Sequence, residues 1–355
     1  MLTLAAFLLM QAKVDQTAID NAVDRGAKAL LGAVGSGLPK VRYNVNNEHT
    51  FDELVFYTLV HAGVDPGDAT FSKLLKRVVS VELKRTYEVS LIAMGLAALD
   101  PVKYQERIAE CAQWLADQMC ANGQWDYGMP YKVTVIPKPK DVATGGGEKS
   151  KTIPKIVVKK GREGNAVGDN SNTQYAAMGL RACAAAGCEF DKAIAEKAIT
   201  WWEKSQLEDG SWNYCFQGVI KAEEPGYGSM TAGGVASLLI WNKLLGKDGK
   251  STKSVKAGLD WLGKTFTLTE NPKEPKEKRW QYYYIYALER VGDLGGIDKI
   301  GGHDWYPEGS TWLVEKQAGG MWYGPVNDFA IADTCFAILF LRRATKAPPK
   351  VATGK

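Results

Sequence analysis

Three short polar clusters hold the residues of this chain that could bind or transform a ligand. The first, residues 169–174, combines a carboxylate with three side-chain amides, which suits a polar ligand. The second, residues 301–306, places a His and an Asp before two aromatic residues, which suits a carbohydrate-like ligand or a hydrophobic cation. The third is Asp333-Thr-Cys335. The ligand-binding candidates are Asp169, Asn170, Asn172, Gln174, His303, Asp304, Asp333 and Cys335.

Each cluster also has a purely structural interpretation. Asp169 or Ser171 can accept backbone N–H bonds at a helix start, with Gln174 closing a capping box. Asp304 can cap the helix that follows it, while its aromatic neighbours pack against the adjacent helix pair. A cysteine such as Cys335 is most often a small buried apolar residue. The sequence therefore assigns no catalytic residue.

The composition is that of a globular protein: 45% of the 355 residues are hydrophobic and 24% are charged. No apolar run approaches the ~18 residues of a membrane-spanning helix, so no transmembrane segment is predicted. A net charge of +4 is too small to indicate nucleic-acid binding, and none is predicted. The 11 Trp and 15 Tyr residues indicate a large aromatic core, an aromatic-lined cavity, or both.

The chain starts with an apolar run, Leu2–Met10, whose length fits the core of a secretory signal. A cut after Ala12 would make residues 1–12 a signal peptide and predicts export to the periplasm or the outside of the cell. The alternative is a frayed, partly buried helix start in a cytoplasmic protein. The six cysteines form no C-x-x-C pair, and their redox state is not assigned.

A repeated phrase is the most informative sequence signal. Each copy has a Trp near a helix end, then a Gln, then Gly-x-Trp. A glycine of this kind ends a helix with a left-handed turn, so the following Trp can fold back on that helix while the Gln amide binds the turn. The copies are Trp114 to Trp125, Trp202 to Trp212, and Trp312 to Trp322.

Amphipathic and apolar helices alternate along the chain, which predicts an outer and an inner layer. Six pairs of this kind can close into a ring. The predicted outer helices are 15–33, 68–83, 101–119, 190–205, 252–265 and 309–317. The predicted inner helices are 50–62, 86–99, 171–186, 229–245, 280–291 and 329–343. The fold prediction is therefore all-α, a single (α/α)6 toroid over residues 13–345.

The Gln…Gly-x-Trp phrase resembles the QW repeat of the squalene–hopene cyclase and protein-prenyltransferase β-subunit superfamily. The resemblance covers nearly all of the chain beyond residue 14. The phrases at 171–174, 303–306 and 333–336 are similar to those of bacterial prenyltransferase/squalene-oxidase-repeat proteins. The resemblance implies the toroid fold, with ligand-binding residues around the mouth that the starts of the inner helices form. It is stronger evidence for the fold than for a particular reaction.

The cyclases of this superfamily carry an Asp-x-Asp-Asp-Thr-Ala motif whose acid protonates an alkene. Asp169 and Thr173 match that motif, but Ser171 stands at the position of the proton donor and Asn172 at the next acidic position. A serine hydroxyl is far too weak an acid for this step. The departure argues against a classical cyclase.

The protein-prenyltransferase β-subunits bind zinc through an Asp-x-Cys pair and a later His. Asp333 and Cys335 reproduce the pair, but His303 lies upstream of it. The resemblance thus raises one metal hypothesis, zinc held by Asp333, Cys335 and His303 with a fourth position open. No other cofactor is predicted.

Residues 131–163 carry nine Lys/Arg and three Asp/Glu. Two β-like stretches, 132–136 and 153–158, predict an exposed hairpin within an insertion at 131–164. Its charge indicates an anionic partner, with a solvated loop as the alternative. The Pro/Lys-rich tail 346–355 is predicted to be disordered.

The sequence leaves three functions open. The first is an isoprenoid-related toroid, an enzyme or a lipid binder, that takes a small-molecule or lipid ligand at the ring mouth. The second is a carbohydrate-active lyase or hydrolase with paired carboxylates in an open groove. The third is a non-catalytic exported scaffold. Carboxylates stand at several inner helix starts, but the sequence does not pair them.

Overall fold

The computed structural model describes residues 14–44, 47–139, 153–221, 223–274, 280–325 and 329–346. These residues form twelve α-helices and four short strands. The predicted signal peptide, residues 1–12, and nearly all of the predicted tail lie outside the described residues. No helix in the described part of the chain is long and apolar enough to cross a membrane.

The helices alternate between two layers, as predicted. The outer helices are α1 (Gln16–Ser36), α3 (Ala69–Ser80), α5 (Gln105–Asp117), α7 (Lys192–Lys204), α9 (Lys253–Lys264) and α11 (Trp305–Lys316). The inner helices are α2 (Asp52–His61), α4 (Thr86–Leu99), α6 (Asn170–Ala185), α8 (Gly228–Leu244), α10 (Gln281–Gly295) and α12 (Ala330–Leu341). The last outer helix begins four residues earlier than the predicted 309 and so includes Trp305 and Tyr306.

The inner layer is a closed ring. Each inner helix packs against the next one along the chain, and α12 returns to pack against α2. The predicted (α/α)6 toroid is therefore confirmed. Burial explains the two layers, because α3 buries only a stripe of Phe71, Leu74 and Val78 whereas α8 is buried over its whole surface from Gly228 to Asn242.

Glycines allow the crowded inner helices to approach their neighbours. A Cβ atom on Gly95 would lie 2.4 Å from the ring of Phe56 on α2. A Cβ atom on Gly234 would lie 2.8 Å from the indole of Trp212. Larger residues at these positions would push the layers apart, so the small residues of α4 and α8 are needed for ring closure.

The repeated phrase locks the ends of outer helices. The Trp125, Trp212 and Trp322 side chains are fully buried. Each indole N–H donates to a carbonyl of the preceding outer helix, at 2.7–2.8 Å from Leu115, Trp202 and Leu313. The amides of Gln206 and Gln317 donate to the carbonyls of Gly210 and Gly320, as predicted. Gln118 differs, because its amide donates to Met129 O.

The insertion departs from the predicted hairpin. Strand β3 (Ile156–Val158) pairs in parallel with β4 (Cys188–Phe190). Among the described residues, Ile156 also forms an antiparallel bridge with Pro139, which lies beyond the first predicted stretch, 132–136, and residues 140–152 of the predicted hairpin lie outside the described residues. The physical reason is burial: Ile156 and Val158 are almost fully covered. This limb therefore lies on the body of the protein. The other pair, β1 (Val41–Asn44) and β2 (Asn47–His49), is antiparallel.

Candidate site at the mouth of the ring

The first turns of the inner helices gather at one end of the ring, here called the mouth. The rings of Trp280 and Phe329, which precede α10 and α12, lie 5.0 Å apart. Tyr87 in the first turn of α4 contacts Tyr175 on α6, with ring centroids 4.1 Å apart. Because the inner helices run parallel, Asp169 at the start of α6 and Asp333 in the first turn of α12 lie at this same end.

Asp169 is the N-cap of α6. Its Oδ1 accepts bonds from the backbone N–H of Asn172 at 2.8 Å and from the hydroxyl of Ser171 at 2.7 Å. Its Oδ2 accepts the amide of Asn172 at 2.8 Å. Burial raises the pKa of this carboxyl, but these three donors oppose the shift. Asp169 therefore anchors a helix start, as the capping interpretation predicts.

Asn170 ties the inner layer to the outer one. Its Oδ1 accepts the indole N–H of Trp201 at 2.8 Å and the amide of Gln124 at 3.3 Å. Its Nδ2 donates to the carbonyl of Asn213 at 2.9 Å. Asn170 is thus committed to the scaffold, whereas the buried Oδ1 of Asn172 has no partner among the described residues.

Gln174 belongs to the centre of the ring. Its Nε2 donates to the hydroxyl of Tyr283 at 2.6 Å, and its Oε1 accepts from Nη2 of Arg290 at 2.9 Å. Both partners lie on α10, which is separated from α6 by α8. Gln174 therefore reaches across the ring interior and does not close a capping box.

His303 and Asp304 lie in the outer layer. His303 stacks on Phe266 with ring centroids 4.2 Å apart, and its Nδ1 lies 3.0 Å from Oε2 of Glu308. Asp304 lies 3.4 Å from Nζ of Lys299 and makes no capping bond with its side chain. The side-chain capping role that the sequence allowed for Asp304 is therefore wrong. Instead, Oε1 of Glu308 accepts the backbone N–H of Asp304.

Asp333 and Cys335 are buried at the start of α12. Oδ2 of Asp333 accepts the backbone N–H of Gly324 at 2.8 Å, and burial raises the pKa of this carboxyl to about 7. Burial also raises the pKa of the Cys335 thiol to about 12, which disfavours the thiolate that zinc requires. Within the described residues, no group of three or more His, Cys, Asp or Glu could hold a metal ion. The structure thus does not assemble Asp333, Cys335 and His303 into a metal site.

The structure places two carboxylates, Glu53 and Glu88, on neighbouring helices, a pairing that the sequence alone did not predict. Glu53 and Glu88 lie in the first turns of the adjacent inner helices α2 and α4, and both are half-buried. Burial, followed by the charge of Glu88, raises the pKa of Glu53 to about 7. The neighbouring Asp52 is engaged by Thr50 and Arg77. Their shared position at inner helix starts was visible in the sequence, but their adjacency depends on ring packing.

Aromatic side chains surround the same mouth. Tyr127 and Phe216 are 47% and 57% exposed, and they flank Tyr214, whose hydroxyl lies 2.8 Å from that of Tyr127. The Tyr214 hydroxyl also accepts from Ser171, at the start of α6. The mouth therefore combines a carboxylate pair with an exposed aromatic rim. A separate concavity of about 510 Å³ opens on the outer layer, between α9 and the loop before α11.

Solved structures with the same fold carry the names of different classes of enzyme. An inactive variant of the α-1,6-mannanase GH76A of Salegentibacter, in complex with α-1,6-mannotriose, has a TM-score of 0.56 at 9% identity, and the match covers 93% of this chain and 98% of the mannanase. A possible GH105 member from Salmonella enterica has a TM-score of 0.56 at 11% identity, covering 98% and 99%. The type II terpene cyclase MstE from Scytonema has a TM-score of 0.53 at 12% identity, covering 92% and 99%.

At these identities the likeness establishes the α/α toroid and leaves the activity open. Terpene cyclase and glycoside hydrolase neighbours are both compatible with the sequence-based hypotheses. No protein-family model matches the chain, and no curated protein matches it.

Proposed function

We propose that this protein cleaves glycosidic bonds at the mouth of the ring, with Glu53 and Glu88 as its acid–base pair. The carrying observation is the placement of two half-buried carboxylates in the first turns of neighbouring inner helices. Two such carboxyl groups are what glycosidic cleavage requires, one to protonate the leaving oxygen and one to assist attack on the sugar.

The two carboxyl groups differ in a way that fits separate roles. Because burial and Glu88 raise the pKa of Glu53 to about 7, Glu53 keeps its proton in a large fraction of molecules at neutral pH. Glu53 is therefore assigned as the general acid that protonates the glycosidic oxygen. Glu88 is assigned as the carboxylate that activates water or stabilises the positive charge developing on the sugar.

The aromatic rim supports a saccharide ligand. The exposed rings of Tyr127 and Phe216 present flat apolar faces, and Tyr127 adds a hydroxyl group, which together match the apolar and polar faces of a sugar. The mannanase neighbour carries a mannotriose on the same fold. Export through residues 1–12, as the sequence predicts, would give the enzyme access to polysaccharides outside the cytoplasm.

An isoprenoid ligand is the second candidate, and the ring interior favours it in one respect. The rings of Tyr175, Tyr283 and Phe336 face one another inside the ring, and aromatic faces stabilise apolar and cationic groups. The repeated Gln…Gly-x-Trp phrase and the MstE neighbour point the same way. Ser171, however, stands where the cyclases carry their proton donor, and the Asp169 carboxylate beside it accepts three hydrogen bonds.

The test is a cleavage screen of the purified full chain against neutral and acidic polysaccharides, read as new reducing ends and by mass spectrometry. We expect cleavage by the wild type and a loss of at least ~100-fold in kcat/KM for Glu53→Gln and Glu88→Gln. Glu82→Gln, an exposed carboxylate paired with Lys84 on the surface, is the matched control and should keep full activity.

Three other results would decide against this proposal. Cleavage that survives both glutamine variants would remove Glu53 and Glu88 from the mechanism. A cyclised product from a geranylgeranyl substrate, or a lipid that co-purifies in native mass spectrometry, would support the isoprenoid candidate. Inactivity on every substrate, with saccharide binding retained, would favour the non-catalytic scaffold.

A further inference from the structure

Arg290 occupies the interior of the ring. It lies on α10, is 1% exposed, and its guanidinium carbon is 4.5 Å from the centroid of the Tyr286 ring. The same carbon is 5.9 Å from the ring centroids of Tyr175 on α6 and Tyr283 on α10. Because α8 separates α6 from α10, side chains of these two helices meet only inside the ring. Arg290 therefore places a positive charge close to the ring axis.

The hydrogen-bonding capacity of this guanidinium is largely unused. Its Nη2 donates to Gln174, but its buried Nε and Nη1 atoms have no hydrogen-bond partner among the described residues. A guanidinium has five N–H donors, and leaving them unmet in a buried place is costly. The tyrosine faces attract the charge, and the Tyr175 hydroxyl lies within hydrogen-bonding reach of the guanidinium, but Nε and Nη1 stay without a partner among the described residues.

The nearby carboxylates are committed elsewhere. Glu289 is fully buried, and its two oxygens accept the N–H of Thr345 at 3.0 Å and the hydroxyl of Thr345 at 2.7 Å. Burial and the nearby Asp293 raise the pKa of Glu289 well above its usual value, which favours its neutral form. Asp293 is itself paired with Arg343. The ring interior thus holds a cation whose counter-ion is not supplied by these side chains.

We propose that Arg290 binds a carboxylate in the ring axis, below the mouth. A planar carboxylate matches the fork of a guanidinium and can accept two of its N–H groups at once. The carboxylate has two conceivable sources, a uronic acid unit of a saccharide substrate or a small free acid. The first source rests on the proposed function, and it makes acidic polysaccharides the substrate class.

Entry to this site passes a pair of tyrosines. The hydroxyls of Tyr87 and Tyr283 lie 3.1 Å apart, and Gln174, which holds Arg290, also donates to Tyr283. Opening the tyrosine pair would therefore connect the mouth with the guanidinium.

Two binding measurements on the full chain test this proposal. In the first, sodium formate is added to the wild type, Arg290→Gln and Arg290→Lys, and the thermal unfolding midpoint is measured. Sodium chloride of equal ionic strength serves as the salt control. Arg107→Gln, which removes a salt-bridged arginine from outer helix α5, is the matched control. We expect a saturable rise of a few degrees in wild type and control, and none in Arg290→Gln.

The second measurement uses calorimetry to compare the affinity of the protein for trigalacturonate with its affinity for the neutral galactotriose. It is made on the Glu53→Gln variant, with Arg290 left unchanged. At least tenfold tighter binding of the acid assigns the carboxylate to the substrate. Formate binding without trigalacturonate binding supports the site with a small free acid as its ligand. The cleavage screen still judges the proposed function separately.

Two outcomes overturn the inference. One is formate binding that is unchanged in both Arg290 variants. The other is equal affinity for the acidic and the neutral trisaccharide, without any formate effect. If neutral polysaccharides are then cleaved through Glu53, the proposed function stands and the carboxylate site alone falls.

Discussion

The hydroxyl groups of Tyr87 and Tyr283 lie 3.1 Å apart although their helices, α4 and α10, stand on opposite sides of the six-helix ring. Tyr175 extends this contact, because its ring lies 4.1 Å from that of Tyr87 and 6.1 Å from that of Tyr283. Aromatic side chains therefore bridge the ring just below its mouth. The half-buried carboxylates of Glu53 and Glu88 lie at the entrance, and Arg290 lies deeper along α10.

Removing the bridging hydroxyl should weaken the ring slightly. We expect Tyr87→Phe to lower the free energy of unfolding by about 1 kcal/mol, because one partly buried hydrogen bond is lost while Tyr283 keeps its bond from Gln174. Tyr127→Phe removes a hydroxyl from an exposed pair and should change stability by less than about 0.5 kcal/mol. Urea unfolding of both variants checks this, and equal effects would contradict a closed interior bridge.

The pH dependence of activity should report Glu53. A general acid must carry its proton, so kcat/KM should fall as pH rises through about 7, the pKa to which burial and Glu88 raise this group. A pH–rate profile on a polysaccharide that is cleaved would show this descending limb. A limb that appears only several units above 7 would show that another group is the acid.

The free energy of unfolding should also depend on the protonation of Glu53. Because the folded-state pKa of Glu53 is raised above its ordinary value of 4.5, the folded state holds this proton more tightly than the unfolded state. The contribution of Glu53 to stability is therefore full below pH 4.5 and is lost as pH rises to about 7. We expect Glu53→Gln to gain stability relative to wild type between pH 4.5 and 8, measured by urea unfolding. Asp333→Asn should behave similarly, because burial raises the pKa of Asp333 to about 7 as well.

The repeated tryptophans should act on stability alone. Trp322 is fully buried and donates to Leu313 O, at the end of an outer helix. Trp322→Ala should cost about 3–5 kcal/mol, and Trp322→Phe less, because the phenyl ring fills part of the space. Denaturant unfolding measures both changes. A stable Trp322→Ala variant that has lost ligand binding would mean that the phrase serves the site.

Asp169 should behave as a cap. We expect Asp169→Ala to lower the free energy of unfolding by about 1–2 kcal/mol, because the start of α6 loses its acceptor. Asp169→Asn should cost less, since its amide oxygen can still accept the N–H of Asn172. A variant that loses ligand binding or activity at unchanged stability would instead show that Asp169 belongs to the site.

The sequence by itself determined the architecture. Six alternations of amphipathic and apolar helices, with the repeated phrase, predicted the toroid. The distribution of apolar residues along each helix indicates whether that helix is buried on one face or on all sides, and hence its layer. The capping role of Asp169 was also readable, since a cap involves residues within one turn.

Only the tertiary structure decided which distant side chains meet. Glu53 and Glu88 are 35 positions apart in the chain, and their adjacency follows from the packing of α2 against α4. Gln174 looked like part of a cap but reaches Arg290, because ring closure turns both side chains toward the same axis. Strand β3 pairs with β4 because burial of Ile156 and Val158 on the helices outweighs local hairpin pairing. Such contacts depend on the angles at which helices pack, and local patterns do not encode those angles.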